Sequence, residues 1–422
     1  MKNLSILILS LGLAFSFSSC LRDSCVEQRT FVQYTPVTLT KAQFRKNIEA
    51  QAVRPLENPG KMYFYENFLF INEQGKGIHI YDLTDEKNPQ KMSFYDIPGN
   101  FDIAVKDNIL YADNVIDLIA LDISNINAPK LVKRIEDYQD RYKNFDPQQY
   151  YAYSVKSNET TVLDCNNPNF NNQFFWEGDL VSFASNSTPK SSVININNST
   201  SSSTGVGGSF ARFTVVNDYL YIADQSSLKS YLVSNPSQPQ LKQTNPLPWG
   251  IETIFPYKDK LFIGSNSGMF IFDNSRPESP VLLSSFTHAR ACDPVVVQGN
   301  TAYVTLRNGN ECQGFINQLD IIDISNILQP KLLKSYPMSH PHGLSVSNEI
   351  VYLAEGTHGF KVLDVKNPLS IKELTKITDK HSYDMISLSP QRLFMVGDDG
   401  FYQYDVTNPN QPKLVSTIQI NQ

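Results

Sequence analysis

Residues 318–330, QLDIIDISNILQP, alternate apolar and polar positions up to Asp323, then turn through polar residues to a Pro seven residues later. The phrase recurs as GIHIYDLTDEKNP ending at Pro89, DLIALDISNINAP at Pro129, GMFIFDNSRPESP at Pro280 and GFYQYDVTNPNQP at Pro412. Two looser copies are SLKSYLVSNPSQP at Pro239 and GFKVLDVKNPLSI at Ile371. Around each copy lie other short apolar runs cut by Gly, Asn and Pro, as in GLSVSN, IVYLAE, FKVLDV and IKELTKI of the sixth copy. Such runs predict strands, and no helical period accompanies them.

The closing Asp falls at 82, 122, 273, 323, 364 and 405, with Leu232 in its place in the third copy, and most steps are 40 or 41 residues. Four strands per period of this length predict one four-stranded antiparallel blade per repeat. The fold expected is all-β, a seven-bladed β-propeller, because a lone sheet leaves two apolar faces uncovered and stacking around an axis covers them. The closing Asp and the polar residue three positions on are read as turn residues that accept backbone N–H groups. Between residues 137 and 207 the rhythm fails. QYYAYSV and TTVLDC sit at repeat-like positions, so an elaborated hairpin inserted after blade 2 (about 138–207) competes with a degenerate eighth blade. Residues 186–209, rich in Ser, Thr, Asn and Gly, read as a flexible loop.

LIALDISN, LDIIDISN and FKVLDVKN resemble the LVIVD repeat of bacterial propeller proteins. The resemblance spans the chain outside the leader and the insertion. It implies an exported, surface or envelope lipoprotein and no particular activity.

The N-terminus fits that implication. Lys2, a short apolar run over residues 6–17 and Ser18-Ser19-Cys20 read as a signal segment (1–19), the run being too short for a membrane span. The ending resembles a bacterial lipobox with Phe17 where Leu is usual, which implies cleavage before Cys20 and its lipidation. Leu21, rather than Asp, after that Cys implies the outer membrane; the side facing the disc stays open. Residues 20–58 read as a tether, with a short helix over 41–52, before a single propeller domain from 59 to 422. Four further cysteines permit two disulfides in an exported chain. Cys292 and Cys312 share one repeat and are the expected pair; Cys25 and Cys165 remain. The net charge of −6 is spread out, which argues against nucleic acid as a partner.

In a propeller, the loops entering the innermost strands and those joining second to third strands share one face, around the channel mouth. Aligning the repeats on the second-strand aromatics Phe70, Tyr111, Tyr221, Phe262, Tyr303, Tyr352 and Phe394 places Gly60, Phe101, Ala211, Glu252, Asp293, His342 and Asp384 at equivalent mouth positions. Asp102 and Arg212 follow one residue on, and Arg307, Glu355 and His358 belong to the adjoining loops. His288, Arg290, His340, His381, Tyr383, Asp398 and Asp399 are neighbours. Carboxylates with His suit a divalent cation or a small polar ligand. The functional expectation is a membrane-anchored, non-enzymatic binding or assembly module for an envelope protein or glycan. The alternative is a hydrolase or lyase for a carbohydrate, peptide or lactone, with Glu252, Asp293, Asp384 and His342 as acid–base groups. No hydrolase, phosphate-binding or dinucleotide motif is present.

Overall fold

The computed structural model describes residues 26–139, 148–164, 204, 206–209, 211–224, 226–248, 250–287, 294–308 and 316–420. The signal segment, all five cysteines, His288, Arg290, Asp293 and Trp176 lie outside them. The chain divides into two compact units. One contains residues 26–35 and 154–164, parts of a two-stranded sheet formed by strands Val26–Leu39 and Tyr150–Asp164.

The other unit holds seven four-stranded antiparallel blades, spanning 59–96, 103–135, 213–246, 251–287, 295–337, 344–377 and 384–419. Tyr150–Asp164 pairs with Val26–Leu39 and makes no eighth blade. The inner strands are buried on both faces, as in Phe68–Glu73 and Thr301–Leu306, whereas outer strands such as Lys331–Pro337 are largely exposed. That gradient explains why continuous apolar runs alternate with polar ones within each repeat. All seven second-strand aromatics are buried.

The turn residues act as their type requires. Asp82, Asp122, Asp273, Asp323, Asp364 and Asp405 each accept the N–H two residues on, at 2.8–3.1 Å. Asn125, Asn235, Asn326, Asn367 and Asn408 repeat the device three residues later. Every blade then carries a register shift between its third and outer strands, for example at Ile321/Ile322 and Val362/Leu363, which adds twist to the rim. Several turns also dock on a neighbouring blade: the Tyr95 hydroxyl donates to Ile126 O at 2.7 Å, Ser284 to Ile327 O at 2.6 Å and Tyr336 to Pro368 O at 2.9 Å.

Blade 7 meets blade 1 through side chains. Met62, Phe64, Leu69 and Ile71 pack with Ile386, Phe394, Val396 and Phe401. The Phe64 and Phe394 rings are 4.3 Å apart. At the rim, Glu86 accepts from Arg392 at 3.1 Å and Gln403 at 3.3 Å.

Two expectations are corrected. The leader's helix is only Lys41–Phe44, with a Thr40/Gln43 capping box. Residues 36–58 belong to the propeller unit, because Phe44, Ile48 and Leu56 are buried and Ala50–Gln51 pairs with Phe94 and Tyr95 at the outer edge of blade 1. The stretch 186–209 is not wholly a loop: Val206–Gly207 forms a short strand on the inner edge of blade 1, against Tyr63 and Phe64. Its pairing uses backbone groups, which polar composition does not reveal.

Candidate functional site

The innermost strands line the channel, so a strand added to the inner edge of blade 1 lies inside it. Thr204 bridges Lys106, the last residue of blade 2's inner strand, at the end away from the mouth. Ser209, fully buried, lies at the mouth end: its hydroxyl donates to Asp384 at 2.8 Å and accepts the N–H of Leu344 at 3.2 Å. The segment therefore runs up the channel between these points. Gly343 has to be glycine here, because a Cβ would stand 2.1 Å from the Asp384 carboxylate and 2.7 Å from Ser209 Oγ.

On the blade 1–2 side, the mouth is built around buried charge. Asp102 Oδ2 contacts Lys61 Nζ and accepts the Arg212 N–H at 2.8 Å, and Oδ1 accepts the N–H of Ile103 at 3.0 Å. Asp113 accepts from the N–H groups of Phe101 at 2.7 Å and Asp102 at 2.9 Å and from the Asn100 amide. Burial pushes the Asp113 carboxyl up to about 6 and the Lys61 ammonium down. Nearby, buried Asp117 receives both Arg45 N–H groups at 2.9 Å, Arg134 at 3.2 Å and the Asp137 N–H at 3.0 Å, which fixes the leader to blade 2.

The blade 5–7 side is more open. His342 is 4% exposed, with Nε2 3.1 Å from His340 Nδ1 and its ring 5.1 Å from that of Tyr383. Tyr383 donates to Asp398 at 2.7 Å, and exposed His381 stands 2.9 Å from the same carboxylate. Burial and then Asp398 push the Tyr383 phenol up, while Arg307 pulls it the other way. Glu355 is enclosed, accepts the Ser339 N–H at 2.8 Å, and pairs with Lys376 at 2.9 Å and Lys361 at 3.3 Å. His358 is exposed, and Glu252 and Arg307 are half-buried. Thus Asp102 meets Arg212, and His342 neighbours Gly343 and Tyr383, while Glu355 and Asp384 bond within the fold. Lys61, Asp113, Asp117 and Ser209 had not been singled out from the sequence; the one signal was an acid or Lys interrupting or flanking an apolar run.

Burial pushes the Glu355 carboxyl up, but the Ser339 N–H and the two ammonium groups outweigh it, and the net direction is down. A lowered folded value means that its contribution is complete above the unfolded carboxylate range and lost as pH falls through the folded value. Urea midpoints of the wild type are expected to fall between pH 7 and pH 3 more steeply than those of Glu355→Gln; parallel curves would refute the assignment.

Among the described residues, no three His, Cys, Asp or Glu side chains are grouped to hold a metal, and no helix is long and apolar enough to cross a membrane. A cavity of about 540 Å³ lies at the rim of blade 7, lined by Lys380, Asp399, Tyr402 and Gln419 among others.

The LVIVD repeat matches residues 100–137, 207–245 and 289–337, which cover blades 2 and 5 and all but the last residue of blade 3. No curated protein matches the chain. Among solved structures, Saccharomyces cerevisiae Sqt1 is 8% identical with a TM-score of 0.53, over 92% of this chain and 90% of that one. The computationally designed Ika8 protein is 11% identical with a TM-score of 0.50, over 87% and 89%. At such identities the likeness is one of fold alone.

Proposed function

We propose, from the premise that this chain is a seven-bladed β-propeller carrying LVIVD repeats, that it is an envelope binding module. In this reading it is tethered by a lipidated Cys20 at the outer membrane and recognises a protein or glycan with the mouth face. The observation that carries the reading is the commitment of mouth carboxylates to the protein itself. Asp384 is taken by Ser209, Asp102 by Lys61 and Arg212, and Glu355 by two lysines. With its own segment in the channel, the mouth formed by the described residues offers a face rather than a deep catalytic pocket. His381, Asp398, Tyr383 and His358 are the polar groups that such a face presents for hydrogen bonding.

The test is calorimetric titration of the purified protein with cell-wall glycan fragments and with purified envelope proteins. Double substitution His381→Ala/Asp398→Ala should weaken the interaction about tenfold, near 1.4 kcal/mol. Unchanged affinity would move recognition away from this face, and conversion of the ligand by wild type would establish the enzymatic alternative instead.

The tether is tested separately. Cys20→Ser should shift the protein from the membrane to the soluble fraction and abolish incorporation of labelled fatty acid. A variant that stays membrane-bound would overturn the lipid anchor.

A further inference from the structure

Lys61 lies two residues into the inner strand of blade 1, and Asp102 stands at the start of blade 2, 41 residues away. Both are nearly sealed from water, at 7% and 3% exposure, and the Lys61 amine nitrogen touches the Asp102 carboxylate. The Arg212 N–H holds the contacted oxygen, and the Ile103 N–H holds the other. A second carboxyl, that of buried Asp113, is fixed against the Asp102 backbone by three donors.

We propose that Lys61 and Asp102 are joined by an intramolecular amide bond between Nζ and Cγ, formed within the folded protein. A lysine–aspartate ion pair held in a dry interior carries a desolvation cost for both charges. Proton transfer within the pair removes those charges and leaves an amine facing a carboxylic acid. Burial acts in that direction, since it lowers the proton affinity of the Lys61 amine. Holding the amine against the carboxylate in one fold can supply an effective concentration of roughly 10⁵–10⁸ M.

The atoms balance without an oxidant or co-reactant. The amine lone pair adds to Cγ, and the carbonyl electron pair moves onto the oxygen that faces the Arg212 N–H. The added nitrogen gives up one proton to the leaving hydroxyl, which departs as water, and the tetrahedral carbon collapses to the amide. The ammonium and carboxylate together yield one amide and one water. The product ties blade 1 to blade 2, beside the point where the chain enters blade 3.

The test is the intact mass of the purified full chain, with a protease digest. Wild type should weigh about 18 Da, one water, less than its processed sequence, and yield a branched peptide joining Lys61 to Asp102. Lys61→Arg should fold, by its circular dichroism, and show the full mass. A folded wild type at full mass with separate Lys61 and Asp102 peptides overturns the bond.

Discussion

Phe394→Ala is expected to lower the unfolding free energy by about 3–5 kcal/mol, the cost of emptying a buried aromatic site. Phe394 is 3% exposed, and its ring packs at a tilt, 4.3 Å between centroids, against Phe64 across the joint between blade 7 and blade 1. Every other pair of adjacent blades is consecutive in the chain, so the chain itself limits how far the two can separate. Blades 7 and 1 have no such link, and the apolar cluster with the Glu86 contacts holds them together. The loss should therefore be local as well as global. Hydrogen exchange should speed up in strands 59–73 and 384–405 before the rest of the disc, whereas Phe262→Ala, within blade 4, should cost a similar amount without that preference. Uniform exchange in Phe394→Ala would show that the joint is not a weak seam.

Asp117→Asn should cost about 1–3 kcal/mol, because it removes the enclosed counter-charge that Arg134 and half-buried Arg45 share, although Glu136 and Asp137 still face Arg45. The Asp117 side chain is wholly enclosed, and its oxygens receive Arg45, Arg134 and the Asp137 N–H. Arg45 comes from the leader, and the Asn114 amide beside Asp117 donates to Phe44 O at 3.0 Å. The substitution should thus free the leader as well as weaken blade 2. Trypsin should cut at Lys41, Arg45 or Lys46 faster than in wild type, and urea denaturation should show the lower stability. A leader that stays protected would mean that Phe44 and Ile48 hold it without the ion pair.

The blades were legible because each is a local pattern repeated. Asp323 and Asn326 solve their turn with neighbours two residues away, and Tyr303 or Tyr352 is marked as core by its own strand. The mouth was legible only as a set of positions. That Asp384 and His342 lie on one ring follows from the period, but that Asp384 is occupied by Ser209, 175 residues earlier, does not. Arg45 and Asp117 are 72 residues apart, and no spacing rule joins them. Residues 204–209 were hardest to read. Gly207 and Gly208 carry no side chain to sign their location, and the bonds of Val206 and Gly207 to blade 1 come from the backbone. Phe44, Ile48 and Leu56 did carry a signal, as isolated apolar residues in a polar leader.

The course of residues 206–209 also sets an order of assembly. Blades 1 and 2 precede this segment in the chain, and blades 3 to 7 follow it. The segment can be laid along the open edge of blade 1 while only two blades exist, and the remaining five then wrap around it as a rim is built around an axle. No end of the chain has to be passed through a finished hole. A permuted chain that began within blade 3 and joined the old termini would make the ring first from the wrong side, and would have to thread its axle afterwards.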